Sequence, residues 1–255
     1  MEIYKHILFN MSNRNIFKNK TIAFANQKGG CGKTTLCTLF ADYLSELGIP
    51  VCVVDADLQR TISYIRSENL RKDQIEAGEA PWTVQTFDIK RPKNSSLEDF
   101  LKTVNGLMEA ASTLKGCVLF DTPGNLTEEG LTPIYSNVDY IICPYIYDQA
   151  TLSSTGVFIT VVDVLRKSYP DMKAKLVFIP NAVQKGVGLQ EEHEMWRQID
   201  SIFAKKGIVT PKIDRKVCLQ RYSTLEITKE QKDVVSPCFD FIIKKLYPSF
   251  TKDSE

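Results

Sequence analysis

Within Lys28-Gly29-Gly30-Cys31-Gly32-Lys33-Thr34-Thr35 the chain gathers glycines, lysines and hydroxyl side chains at a spacing suited to polyphosphate. Glycines at 29, 30 and 32 let successive backbone N–H groups converge on an anion, which then lies at the positive end of the following helix. The Lys33 ammonium is placed for β- and γ-phosphates, and the Thr34 hydroxyl for a Mg²⁺ ion bridging them. Thr35 is within reach of an α-phosphate. The G-x-x-x-x-G-K-T spacing predicts a nucleotide site, provided that a strand precedes it and a helix follows.

Both conditions are met by pattern. Thr21-Ile22-Ala23-Phe24-Ala25 reads as a buried strand and Leu36-Cys37-Thr38-Leu39-Phe40-Ala41-Asp42-Tyr43-Leu44 as a helix. Further on, Val51-Cys52-Val53-Val54-Asp55 is a continuous apolar strand, the kind a parallel sheet buries on both faces. It runs into Asp55-Ala56-Asp57-Leu58-Gln59. Carboxylates two apart share a face, and the C-terminal end of a strand in an open α/β sheet borders the ligand crevice. The same acidic residues would also serve to cap the next helix. Cys117-Val118-Leu119-Phe120-Asp121-Thr122-Pro123-Gly124 repeats the pattern of a strand ending in an acid. Asn181 follows another strand, Lys175-Leu176-Val177-Phe178-Ile179-Pro180. Its amide suits a base edge carrying both a donor and an acceptor, and asparagine is also a common turn residue.

The loop K-G-G-x-G-K-T-T, with a second lysine at its entrance, resembles the deviant Walker A family. That family comprises ParA/Soj chromosome and plasmid partition ATPases, MinD division-site ATPases, the nitrogenase iron protein and cluster-assembly ATPases. Asp55-Ala56-Asp57-Leu58-Gln59 is similar to its second motif, D-x-D-P-Q, with Leu58 in place of proline. The strand ending at Asp121 matches its Walker B pattern. Ile213-Asp214-Arg215-Lys216-Val217-Cys218-Leu219 resembles the partition ATPases' I-P-R-N-V-R-L, with Asp214 in the proline position. The resemblance, from about residue 21 to 247, implies ATP and Mg²⁺ as cofactors. It implies that Gly29, Gly30, Cys31, Gly32, Lys33, Thr34 and Thr35 cradle the phosphates, and that Thr34, Asp55 and Asp121 surround the metal. Asp57 would orient the attacking water, while Asn181 and the Asp214 segment would contact adenine. Lys28 would reach across a homodimer with sandwiched ATP to the partner's phosphates, and Gly124 and Asn125 would open a γ-phosphate-sensing segment.

Within the family, iron-protein and cluster-carrier roles need paired cysteines that this chain does not offer, and the tyrosine-rich tail of the related kinases is missing. Val234, Val235, Phe239, Ile242, Ile243 and Leu246 form the last helix, with no basic amphipathic membrane helix after it. The resemblance therefore favours a cytoplasmic, nucleoid-associated partition ATPase of a plasmid or other mobile element. It would bind non-specific double-stranded DNA as an ATP dimer, act with a ParB-like DNA-binding partner and need no membrane. The competing expectations are a nucleotide-gated scaffold in conjugative transfer and a MinD-like positioning ATPase.

Composition sets the frame. A chain of 255 residues suffices for one large domain, expected to be a doubly wound, mostly parallel α/β sheet flanked by helices. Residues 1–20 read as an extension, loosely ordered or a short helix on Ile3, Tyr4, Ile7 and Leu8, with Met11 an alternative start. Residues 21–248 read as the ATPase domain and 249–255 as a tail. A net charge of +1 excludes a uniformly basic nucleic-acid protein, so DNA affinity must come from a local patch. Arg215, Lys216, Arg221, Lys229, Lys232, Lys244 and Lys245 supply one toward the C-terminus, or else line solvated helix faces. Seven cysteines without a C-x-x-C pair read as reduced, buried thiols. Ser95-Ser96-Leu97-Glu98 reads as a capping box opening a helix whose stripe of Leu97, Phe100, Leu101, Val104, Leu107 and Met108 belongs to the core.

Overall fold

The computed structural model describes residues 17–184 and 190–250. The apolar runs form strands buried on both faces, flanked at the sheet's two ends by the half-buried Thr83–Thr86 and Ile208–Val209, and the sheet is parallel throughout. Its strands are β1 (Lys20–Phe24), β2 (Val51–Asp55), β3 (Thr83–Thr86), β4 (Cys117–Asp121), β5 (Tyr140–Tyr145), β6 (Lys175–Pro180) and β7 (Ile208–Val209). Their spatial order is β3-β2-β4-β1-β5-β6-β7. The expected doubly wound architecture is therefore present, with β1 in the middle.

Parallel neighbours need crossovers, supplied by α1 (Lys33–Glu46), α2 (Thr61–Asp73), α3 (Leu97–Thr113), α4 (Leu131–Asn137), α5 (Gln149–Ser168) and α6 (Gln190–Ala204), with α7 (Lys229–Leu246) closing the chain. They sort into two cores. On one side α1 and α7 meet, with Phe239 edge-on to Phe40 and Tyr43 at ring distances of 4.9 and 5.5 Å. On the other, residues of α3, α4 and α5 cover the opposite faces of the same strands. Register decides what the C-terminal edge presents. Asp121 is paired with Asp55 on one side and Phe24 on the other, so the two acidic strand ends and the start of the glycine loop are neighbours.

Several expectations shift. The cap of α3 is Ser96, not Ser95: its hydroxyl accepts from Asp99 N at 3.1 Å and donates to the Asp99 carboxylate at 2.7 Å. Leu97 consequently lies on the first turn and is exposed, while Phe100, Val104, Leu107 and Met108 are core, joined by Ala111. Just before β1, Phe17 packs on Tyr247 and Phe250 and the Asn19 amide donates to the Ala111 and Leu114 carbonyls. Residues 1–16, including the apolar set at 3, 4, 7 and 8, lie outside the described residues.

Candidate functional site

Helix α1, like α2 and α4, starts without a side-chain cap. Ser96, Asp148 and Thr228 cap α3, α5 and α7 with side-chain oxygens, whereas α1 has Gly32 at its N-cap with φ 101° and no side-chain cap. Its first-turn N–H groups are thus left for an external acceptor, the arrangement that favours an anion. Lys33 is buried at this point, and its Nζ donates to the Lys28 carbonyl at 3.1 Å, closing the loop on itself. Cys31 Sγ reaches the same carbonyl at 3.2 Å. Burial pushes the Cys31 thiol up, against the nearby Lys33, which favours its neutral form. The lysine at the loop's entrance, Lys28, is exposed.

Asn26 anchors that entrance and was not singled out by its sequence context. It is fully buried, and its Nδ2 donates to the Pro144 carbonyl at 2.8 Å and to Thr155 Oγ1 at 2.9 Å. A polar residue ending an apolar run was the only available signal. On the far side of the loop, Asn181 Nδ2 donates to the Cys31 carbonyl at 2.9 Å. A Cβ on Gly32 would stand 2.3 Å from that Nδ2, so the backbone angle favours glycine and any larger residue would displace the Asn181 amide.

The acidic strand ends form a buried group beside Lys33. Asp121 is fully buried and neither carboxylate oxygen has a hydrogen-bond partner of normal geometry. Burial pushes its carboxyl up to about 7, with the nearby Thr34 hydroxyl opposing and Asp55 adding to the rise. Asp55 is also fully buried. Its Oδ2 accepts from Ser63 N at 2.9 Å and Ser63 Oγ at 2.8 Å, while Oδ1 has no partner. Desolvated carboxylate oxygens without donors are costly, and a hard divalent cation is the partner that their chemistry fits. Asp57 is half-buried just beyond, with Oδ1 accepting from Gln59 N at 3.0 Å.

A cavity of about 360 Å³ adjoins the loop, lined by Gly30, Gly32, Thr35, Asn181, Asp214 and Lys216 among others. Asp214 is brought there by a parallel bridge to Val183, whose N–H donates to Ile213 O at 3.0 Å. The sequence-predicted base contacts thus converge on one pocket. Gly124 closes the opposite flank. A Cβ there would stand 3.0 Å from the Gln27 carbonyl, which couples the segment after β4 to the loop's entrance by direct packing. Thr122, buried beneath it, donates to Phe24 O at 2.8 Å and meets Tyr135 Oη at 3.0 Å.

The basic cluster read from chain order divides into two. Arg215 and Lys216 line the cavity at the C-terminal edge of the sheet. Lys244 and Lys245 end α7, where the Lys245 carbonyl accepts from Tyr140 Oη at 3.2 Å and Tyr247 Oη meets Cys117 Sγ at 3.3 Å. Tyr140 and Cys117 are the first residues of β5 and β4, so these lysines sit at the opposite edge. Lys232 is paired with Glu46 at 3.0 Å. Among the described residues no helix is long and apolar enough to cross a membrane.

A central strand, a glycine loop, an uncapped helix and acidic strand ends define a phosphate-loop nucleotide-binding protein. Residues 22–222 match the model of the CobQ/CobB/MinD/ParA nucleotide binding domain, and the chain belongs to that family. It is 29% identical over 157 residues to the maintenance of carboxysome distribution protein A of Halothiobacillus neapolitanus, a match covering 62% of this chain and 64% of that protein. The chain thus spans less than two thirds of that relative's length. The fold is similar to that of a Borrelia burgdorferi plasmid partition protein, with TM-score 0.62 and 19% identity over 89% of this chain and 99% of that one. It is also similar to an ATP complex of Cyanothece McdA, with TM-score 0.67 and 14% identity over 93% and 100% of the two chains.

Proposed function

We propose that the chain is an ATP hydrolase that dimerises around ATP and partitions a plasmid or another mobile element by binding double-stranded DNA without sequence preference in its ATP state. The carrying observation is the division of labour between two lysines of one loop. Lys33 is buried and tied to the loop's own carbonyl, as a residue serving its own nucleotide should be. Lys28 is exposed at the entrance, where a second subunit's phosphates would find it. Gly29, Gly30, Cys31, Gly32, Thr34 and Thr35 complete the cradle, Asn181 and Asp214 take the adenine, and Asp57 orients water for attack on the γ-phosphate. Asp121, Asp55 through its free Oδ1, and Thr34 would hold Mg²⁺, which neutralises charge on the phosphates when bound. A ParB-like DNA-bound partner protein would accelerate turnover.

The test is DNA binding by Asp57→Ala, which should trap the ATP state, across a salt series with ATP, with ADP and without nucleotide. If about six phosphates are neutralised, a fourfold rise in salt should weaken binding on the order of a thousandfold. Arg215→Ala with Arg221→Ala, and separately Lys244→Ala with Lys245→Ala, assign the contact to one edge. Kinship with a carboxysome distribution protein supports a second reading, a MinD-like positioning ATPase. An ATP dimer that ignores DNA at every salt concentration would favour that reading or a nucleotide-gated scaffold in conjugative transfer.

A further inference from the structure

Arg60 caps α2 in a left-handed conformation, φ 50° and ψ 36°, where a side chain other than glycine is strained, and it makes no capping bond to its helix. Its guanidinium is engaged elsewhere. Nη1 donates to the Asp55 carbonyl and to the Phe87 carbonyl at 3.1 Å, and Nη2 pairs with the Asp88 carboxylate. Asp55 ends β2, and Phe87 and Asp88 directly follow β3, so one planar fork straps the loop after β2 to the loop after β3. The backbone of the same residue closes the turn that carries Asp57, with Arg60 N donating to the Asp57 carbonyl at 3.0 Å. The strap therefore fixes both ends of the Asp55-to-Arg60 loop, and Ser63, on α2, holds the Asp55 carboxylate.

We propose that Arg60 is a positioning residue for hydrolysis, holding Asp57 at the angle from which it orients water. The inference rests on the reading of Asp57 given above. Strain persists at a site only where surrounding contacts enforce it, and here the enforcing contacts are those of the guanidinium. A lysine is a point charge and cannot replace a fork that serves separate acceptors.

The experiment measures ATP affinity, kcat, KM and melting temperature for Arg60→Gly, Arg60→Lys and Asp88→Asn, alone and combined with Asp57→Ala. Glycine suits the backbone angle, so Arg60→Gly should fold and bind ATP as the parent does while kcat falls about tenfold at unchanged KM. Arg60→Lys should recover little of that loss, and Asp88→Asn, which keeps the carbonyl anchors, should lose less. In the Asp57→Ala background Arg60→Gly should cost nothing more, because the residue acts through Asp57. Wild-type kcat in Arg60→Gly, or losses that multiply in the double variant, would overturn the assignment while leaving the role of Asp57 intact. Wild-type turnover in Asp57→Ala alone would remove that role and this inference with it. If Arg60→Gly melts early, Asp88→Asn decides by the same two comparisons.

Discussion

Alanine at each of the three loop glycines should produce a graded loss of stability whose steps separate backbone strain from steric conflict. At Gly29 an added Cβ meets nothing within 4 Å and φ is not positive, so nucleotide-free Gly29→Ala should fold within about 0.5 kcal/mol of the parent. At Gly30 the space is equally open but φ is 80°, and the left-handed backbone alone should cost roughly 1–2 kcal/mol. At Gly32, φ is 101° and the new Cβ would stand 2.3 Å from Asn181 Nδ2. The amide must move and give up its bond to the Cys31 carbonyl, adding about 1 kcal/mol or somewhat more to the strain. The total of about 2–4 kcal/mol should lower the melting temperature by roughly 5–15 °C in a domain of this size. Urea unfolding of the nucleotide-free variants measures the steps directly. Combining Gly32→Ala with Asn181→Ala isolates the contact, with an expected coupling energy of about 1 kcal/mol between the two sites. A Gly32→Ala variant no less stable than Gly30→Ala, or strict additivity in the double variant, would refute the packing of Asn181 over the loop.

Lys33→Ala should abolish equilibrium binding of labelled ATP, because the buried polyphosphate loses its main cationic partner, and retained affinity would displace the site from this loop. Lys28→Gln should bind nucleotide yet sediment as a monomer with ATP, whereas an ATP dimer of normal strength would make the lysine serve its own subunit. Asp42, buried with Oδ1 accepting from Trp82 Nε1 at 2.7 Å and Oδ2 unpartnered, has its carboxyl pushed up to about 7 from 3.8 by burial, against the Trp82 hydrogen bond and Arg66. Its contribution to stability is full below the unfolded value and is lost as pH rises through about 7, at most about 4 kcal/mol. Urea unfolding of Asp42→Asn should therefore show a flatter decline from pH 4 to 7 and a gain on the order of 1–3 kcal/mol at pH 8, with Asp121 supplying the slope that remains; a profile identical to the parent's would remove Asp42 as the cause.

What the sequence made legible is what neighbouring residues determine by themselves. Val51–Asp55 and Lys175–Pro180 form strands over the span their apolar runs mark out, and the glycine loop lies between a strand and a helix because its flanks have no other use. The two half-buried residues of β7 carry no period to read, since the strand is only as long as its pairing with β6. Two adjacent serines before α3, followed by Glu98 and Asp99, offer two cap registers, and only backbone geometry selects Ser96 with Asp99. Arg60 is more instructive, because its side-chain acceptors include groups 27 and 28 residues away and nothing local distinguishes it from a surface arginine. The basic cluster fails for the opposite reason. Nearness in sequence suggested one patch, but α7 carries Lys244 and Lys245 to the end of the sheet remote from Arg215 and Lys216. Phosphate contacts add only along a surface that one duplex can follow, so the two groups cannot be pooled when a salt slope is interpreted. A slope near that of six phosphates must therefore come from one edge repeated across a dimer, and the edge whose paired alanines reduce it is the one that faces DNA.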